Sequence, residues 1–450
     1  MRKLFGTDGI RAVAGESPLD PKTIYAVGLA LAHQLKANSH QPTIILGMDT
    51  RESGPWIAAT LAAGLLEGGA KVESAGIVTT PAIAYLARKH KYSAGVVISA
   101  SHNPWHDNGI KVFGGDGYKL PDETELRIED EIFRQLETVN TPDPSQLSAP
   151  TPNTNFRAEY EAFLLAAVPG LNLNGMKLVL DCANGAASAI APELFAQLGG
   201  TAKLTHAQPN GRNINADCGA LHPKIVAAET KANHADIGVT FDGDADRALF
   251  ADTNGNVVNG DAVLLLAARD LQSRDLLQGN MVVATTMSNM GLEAALRRDG
   301  IKMLRAPVGD KYVLEQMQAN HASLGGEQSG HILFPHLATT GDGLLTALVI
   351  LDIVRRSGKP LHELLSDLKV FPQVIVNVRV KEKQPLDQIE EVAASIRNAE
   401  NELNGNGRVV VRYSGTEPLA RVMIEAESEE AMRRHSDAIA SAIRNALGAA

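Results

Sequence analysis

Three times along this chain a short apolar run breaks into small polar residues and continues into a helix-like stretch. The runs are residues 43–47 (TIILG), 176–181 (MKLVLD) and 280–285 (NMVVAT). Runs of that length bounded by turn residues read as strands, and strands alternating with helices build parallel βαβ units. After the first run come a loop at 48–54, an Ala- and Leu-rich helix to about Glu67, a strand near 71–76, a helix near 81–89 and a strand at 95–98. The second run turns at Asn184-Gly185 and continues as a helix to Leu198; the third turns at 289–291 and continues as GLEAALRRDG. This recurrence predicts three domains of similar mixed α/β build. A chain of 450 residues is in any case too long for one core, and implies three or four domains of roughly 100 to 200 residues each.

Two changes of texture set the expected boundaries. An acid-rich helical stretch at 123–137 is followed by residues 141–154, where Pro142, Pro144, Pro150 and Pro152 stand among Ser, Thr and Asn, a linker composition. Beyond Pro372 the chain alternates (VIVNVRV), runs through a long amphipathic helix to about Leu403, a strand at 408–412, the segment RVMIEA and a final helix, which fits a small α+β domain. The expected domains are residues 1–152, 153–254, 255–369 and 370–450.

The formal charge of −10 argues against non-specific nucleic-acid binding and against attraction to an anionic membrane surface. An anionic substrate would then need locally placed cations. Cys182 and Cys218 have no CxxC spacing, so neither a disulfide framework nor a zinc knuckle is expected. The start, MRKLFGTDGIR, has no apolar signal region, and no segment approaches the ~18 consecutive apolar residues of a membrane span. The expectation is a cytoplasmic protein.

Chemistry concentrates in a few clusters. The strand at 95–98 ends in Ser99, Ala100, Ser101, His102, Asn103 and Pro104, at the strand edge where open α/β sheets bind ligands. Turn chemistry alone would also account for these residues. Lys111 follows in a second apolar segment, and a hydroxyl beside a cation suits phosphate chemistry. The segment TFDGDADR at 240–247 alternates Asp242, Asp244 and Asp246 with Gly243 and Ala245, so three carboxylates can converge on one cation. An EF-hand is excluded, since Arg247 stands where its glycine and Thr253 where its glutamate would be. A small set of hard oxygen ligands favours Mg²⁺. In LGGEQSGH, residues 324–331, Glu327 and Ser329 would offer two hydrogen-bonding groups on one side if the loop is extended; a tight turn with incidental polar residues is the alternative. In RYSGTEPLAR, residues 412–421, Arg412, Ser414, Gly415 and Thr416 can cradle a dianion. No Walker A loop, GxGxxG, HExxH or GxSxG occurs.

These motifs resemble those of the α-D-phosphohexomutase superfamily. SASHNP matches its TASHNP phosphoserine loop with Ser99 for the leading threonine, DGDADR its metal loop, GEQSGH its sugar loop and RYSGTEP its phosphate loop; GTDGIR is similar to its opening. The forms GEQSGH and NINADCGALH are most like the branch acting on glucosamine phosphates, although Ala220 stands where serine is more usual. The resemblance implies four domains around a central cleft. It also implies an isomerase that interconverts glucosamine 6-phosphate and glucosamine 1-phosphate through a phosphoserine enzyme and a bisphosphate intermediate, supplying UDP-N-acetylglucosamine and cell-wall precursors.

In that scheme Ser101 carries the phosphate and shares one Mg²⁺ with Asp242, Asp244 and Asp246, while Arg247 and Lys111 stabilise the transferring oxygens. Lys111 and His331 are the acid/base candidates, with Arg11 assisting. Glu327 and Ser329 contact the sugar, and Arg412, Ser414, Gly415, Thr416 and Arg421 bind phosphate. A kinase or a sugar bisphosphate must load Ser101, and a homodimer is compatible with the sequence. The rivals are a phosphomannomutase/phosphoglucomutase, a haloacid-dehalogenase-like phosphatase with Asp242 as nucleophile, and an idle sugar-phosphate sensor.

Overall fold

The computed structural model describes residues 4–6, 8–36, 40–140, 142–414 and 418–448. They fall into two compact units, one built from the chain up to residue 287 together with residues 304–365, the other from residues 288–303 and from 366 onward.

In the first unit, strands β1 (Ile10–Val13), β2 (Thr43–Met48), β3 (Lys71–Ile77), β4 (Ala94–Ile98) and β5 (Asp107–Gly114) form a sheet in the order β1-β5-β4-β2-β3. Strands β2, β3 and β4 are parallel, as alternation with helices predicts, whereas β5 and β1 return antiparallel. The edge strand β1 is missing from the sequence reading because four residues beginning in a turn cluster carry too little periodicity. Helices Pro21–Lys36 and Gly54–Glu67 cover this sheet, and they pack backbone to backbone. A Cβ on Gly64 would lie 2.2 Å from the Tyr25 carbonyl oxygen, so a side chain there is excluded.

A second sheet repeats the plan. Strands β6 (Lys177–Asp181), β7 (Thr201–Thr205), β8 (Ile237–Phe241), β9 (Ala248–Asp252) and β10 (Val257–Val258) run in the order β10-β9-β8-β6-β7, again parallel for β6, β7 and β8 and antiparallel for β9. The third sheet, of β11 (Met281–Thr285), β12 (Lys302–Ala306), β13 (Gly325–Gly326) and β14 (Ile332–Leu333), has the order β12-β11-β13-β14. Its β13 is parallel to β11 and antiparallel to β14. In all three sheets a buried parallel strand hands over to an antiparallel partner through one loop. Those loops, 99–106, 242–247 and 327–331, contain the three clusters that the sequence singles out.

The second unit holds an antiparallel sheet of β15 (Gln373–Arg379), β16 (Gly407–Tyr413) and β17 (Leu419–Ala426) in the order β15-β17-β16, packed under helices Glu390–Leu403 and Glu429–Leu447. The fold is therefore three mixed α/β sheets and a smaller α+β one.

Candidate active site

Ser101 is fixed before any ligand arrives. Strand β4 is buried along its whole length and ends at Ser99, whose hydroxyl donates to Asp49 Oδ2 (2.7 Å) and accepts the Ser101 amide N–H (2.9 Å). Ser101 itself has φ +51°, a left-handed conformation that non-glycine residues adopt only when the surroundings impose it. Arg51 imposes much of it. Its guanidinium is fully buried, pairs with Asp49 (2.9 Å), and donates to the carbonyls of Ser101 (3.0 Å), Asn103 (2.8 Å), Asp107 (2.9 Å) and Pro104. The Ser101 hydroxyl then donates to Asp242 Oδ2 at 2.6 Å, joining the first loop to the second.

The 242–247 loop is equally buried, and the ligand oxygens of Asp242, Asp244 and Asp246 all lie within 4.8 Å of one another. Lys111 Nζ reaches Asp244 (2.8 Å), Asp8 (2.9 Å) and Asp246 (3.5 Å). Burial disfavours its ammonium, but Asp244, Asp8 and Asp246 outweigh that and raise its pKa. The carboxylates respond unequally. Asp242, desolvated and beside two like charges, is pushed well above the usual range. Asp246 is held well below it, because Lys111, His331 and Arg247 override its burial. Asp244 Oδ2 is taken by Lys111 and Thr80, while its buried Oδ1 has no hydrogen-bond partner. An orphaned buried carboxylate oxygen facing two further carboxylates fits a hard divalent cation.

A cavity of about 380 Å³ opens onto these groups, lined among others by Arg11, His102, Asp246, Arg247, Glu327 and His331. His331 is flanked by Asp246 (Nδ1, 3.7 Å) and Asp310 (Nε2, 3.5 Å). Burial lowers its pKa, but the two carboxylates push it up to about 8. In the neutral ring the Gly341 N–H, 3.2 Å from Nε2, favours the tautomer with its proton on Nδ1, toward Asp246. His102, whose Nδ1 is 3.3 Å from Ser101 Oγ, is pushed the other way, down to about 4, by burial and by Arg247 and Arg11. A larger cavity of about 660 Å³ touches the site only through Lys119 and Asp310 and holds none of the reactive groups.

The 327–331 loop takes one of the two forms open to it. It is a tight turn, not an extended loop: the Gly330 N–H donates to the Glu327 carbonyl (3.0 Å) and the Glu327 N–H to the His331 carbonyl (3.0 Å). Glu327 and Ser329 still meet, with the hydroxyl 3.3 Å from Oε2, because Gly330 at φ +95° reverses the chain. Glu327 Oε1 accepts the Gly309 N–H at 3.0 Å.

The first unit thus brings together Ser101, Lys111, Arg11, Arg247, His331, Glu327, Ser329 and the three aspartates. In the second unit Arg412 and Arg421 stand opposite each other across β16 and β17, with Arg421 Nη2 3.5 Å from Ser414 Oγ. Gly415 and Thr416 lie outside the described residues.

Several residues of the site escape the sequence reading. Asp8 gathers Arg11, Lys111 and Lys119, and Lys119 also pairs with Asp310. Asp8 sits inside the quoted GTDGIR segment, Lys119 follows the glycine-rich stretch GGDGY at 114–118, and Asp310 follows a Val-Gly turn at a helix start, a pattern that could have flagged it. Asn215 likewise sits inside the quoted NINADCGALH segment, whereas Arg51 carries no such signal.

Comparison with known proteins gives concordant results over the whole chain. The phosphoglucomutase/phosphomannomutase family models match in four pieces: alpha/beta/alpha domain I at residues 2–138, domain II at 158–255, domain III at 259–371 and the C-terminal domain at 375–442. A phosphoglucosamine mutase of Koribacter versatilis is 56% identical over 456 residues, covering 100% of this chain and 98% of that protein. One of Solibacter usitatus is 51% identical over 447 residues, with 99% of each covered. Among solved structures, a phosphoglucomutase/phosphomannomutase family protein from Burkholderia thailandensis shares the fold with TM-score 0.76 at 24% identity, covering 98% of this chain and 97% of that one. An Aspergillus fumigatus N-acetylphosphoglucosamine mutase in complex with GlcNAc-6P and magnesium superposes with TM-score 0.64 at 20% identity, covering 99% and 96%.

Proposed function

This chain belongs to the phosphoglucomutase/phosphomannomutase family, and from that premise we propose that it is a phosphoglucosamine mutase, interconverting glucosamine 6-phosphate and glucosamine 1-phosphate. The observation that carries the mechanism is Ser101 Oγ, 2.6 Å from Asp242 and 3.3 Å from His102, a residue that lines the cavity together with Arg11 and Arg247.

Ser101 carries a phosphoryl group, supplied by a kinase or by a sugar bisphosphate. In the forward step the P–O bond to Ser101 Oγ breaks as a P–O bond to the free sugar hydroxyl forms. The hydroxyl proton leaves to a base, and the serine oxygen regains one. The bisphosphate so formed returns its other phosphoryl group to Ser101, leaving the isomerised monophosphate. Mg²⁺ held by Asp242, Asp244 and Asp246, with the phosphate on Ser101, would neutralise the charge that develops on the transferring group.

Lys111, already bonded to Asp244 and Asp8, serves as a fixed positive charge beside the reacting oxygens, and Arg247 and Arg11 add two more from the cavity wall. His331, held between two carboxylates, is the group assigned to move the proton. Glu327 and Ser329 position sugar hydroxyls. Arg412, Ser414, Gly415, Thr416 and Arg421 grip the non-reacting phosphate, a role that rests on the RYSGTEP motif. The Ser101 hydroxyl bonded to Asp242 Oδ2 supports a reading in which the serine, and not Asp242, carries the phosphate. A cytoplasmic setting suits the two buried free thiols.

The test is a coupled assay of Ser101-phosphorylated protein on glucosamine, glucose and mannose phosphates. The proposal requires the highest kcat/KM on the glucosamine pair. Preference for glucose or mannose would move the chain to another branch of the family, and binding without turnover would make it a sensor.

A further inference from the structure

Two of the carbonyls that shape the Ser101 loop each accept a second hydrogen bond, and both come from one side chain of the second sheet's domain. Asn215 Nδ2 lies 2.9 Å from the Ser101 carbonyl and 3.0 Å from the Asn103 carbonyl, the same two oxygens that Arg51 Nη2 reaches. Only an NH₂ group can satisfy two carbonyls at once, so the amide orientation is unambiguous. Asn215 is itself held in a left-handed conformation (φ +57°), and its own N–H donates to the Ala183 carbonyl at 2.9 Å. Neighbouring contacts reinforce the join: Glu52 N–H donates to the Gly211 carbonyl (3.0 Å), and the Arg212 guanidinium lies 5.2 Å from the Trp105 ring centre.

We propose that Asn215 is a positioning residue for phosphoryl transfer, clamping the Ser101 loop from the second sheet's side while Arg51 clamps it from the first. The proposal rests on the mutase reading above. The left-handed Ser101 backbone aims Oγ at Asp242, and the loop must return to that geometry after each of the two transfers in a cycle. Arg51 alone ties the loop to its own sheet. Asn215 ties it to the domain that carries Asp242, Asp244 and Asp246, so it sets the distance between the phosphate-bearing oxygen and the carboxylates. A misplacement of about 1 Å at a reacting centre can cost on the order of 100-fold in rate.

The test uses Asn215→Gly, which keeps the left-handed backbone but removes the amide, and Asn215→Asp, which keeps the shape but replaces the donor with a carboxylate facing two carbonyls. Both should lower kcat by about 10- to 100-fold with little change in KM. Both should also slow transfer of phosphate from glucose 1,6-bisphosphate to Ser101, at temperatures well below their melting points. Hydrogen exchange read by mass spectrometry should rise in the peptide spanning 99–107 while the β6 and β8 peptides stay protected. Wild-type kcat and wild-type exchange in Asn215→Gly would overturn the proposal, as would a loss of kcat that only follows a lowered melting temperature. The exchange measurement needs no activity. If wild-type protein fails to act on any hexose phosphate yet the loop loosens in the variants, the mutase reading falls while the clamp stands.

Discussion

At the scale of single residues the site divides into those that react and those that hold them. Ser101 is 1% exposed, and its oxygen is both the proposed phosphate carrier and a hydrogen-bond donor to a buried carboxylate. Ser101→Ala should therefore abolish turnover and remove the phosphate from intact-protein mass spectra. The cost of leaving Asp242 without that donor should be about 1–3 kcal/mol, so the variant still folds. Arg51 belongs to the other group. Arg51→Ala would leave Asp49 as a buried charge without its cation and remove a hydrogen bond from each of four carbonyls, and should destabilise the protein by about 3–5 kcal/mol in urea unfolding. Ser101 was legible in the sequence because its turn, ordinary by itself, ends a strand, is followed by Lys111 and matches the SASHNP motif. Arg51 was not, since an arginine in a loop reads as a solvated charge until the four carbonyls around it are known.

At the scale of elements, the three functional loops occupy one topological position in three sheets of like order, each between a buried parallel strand and its antiparallel return. Two of these loops approach so closely that Gly243 has no room for a side chain: a Cβ there would lie 2.5 Å from the Ser101 carbonyl oxygen. Gly243→Ala should push the 99–106 and 242–247 loops apart and lower kcat by roughly 100-fold, with a smaller effect on melting temperature, measured in parallel by steady-state kinetics and calorimetry. The alternation of Asp with small residues predicted convergent carboxylates, and they converge. Of the two forms open to 327–331, extended loop or tight turn, the chain takes the turn, because Gly330 supplies its positive φ. Edge strands β1 and β10 were illegible for a different reason: at four and two residues they carry too little pattern of their own and are defined by pairing, β1 with the distant β5 and β10 with the adjacent β9.

At the scale of the whole molecule, a chain of formal charge −10 places Arg11 and Arg247 in the wall of one cavity and Lys111 and Lys119 behind it, paired with the lining Asp8, which answers the need for local cations. The four motifs and the change of texture after Pro372 were readable from local pattern. The grouping of residues 288–303 with the C-terminal sheet was not, because it depends on pairs such as Asn289 Nδ2 with the Phe371 carbonyl (3.0 Å) and Phe371 N–H with Asn289 Oδ1 (2.8 Å). For that unit the expectation is that Arg412→Ala lowers kcat/KM by roughly 10- to 100-fold, mainly through KM, as loss of a charge-assisted contact to phosphate would. Unchanged kinetics would leave it a structural role only.

The central claim is that the phosphoryl group passes through Ser101, and a single-turnover transfer measures it directly. Protein labelled with ³²P on Ser101 is mixed with unlabelled glucosamine 6-phosphate and Mg²⁺ and quenched over time. The account predicts that label leaves Ser101 and appears in the bisphosphate and then in glucosamine monophosphate, at a rate matching kcat. Label that stays on the protein while product forms, or that leaves only as inorganic phosphate, would contradict it.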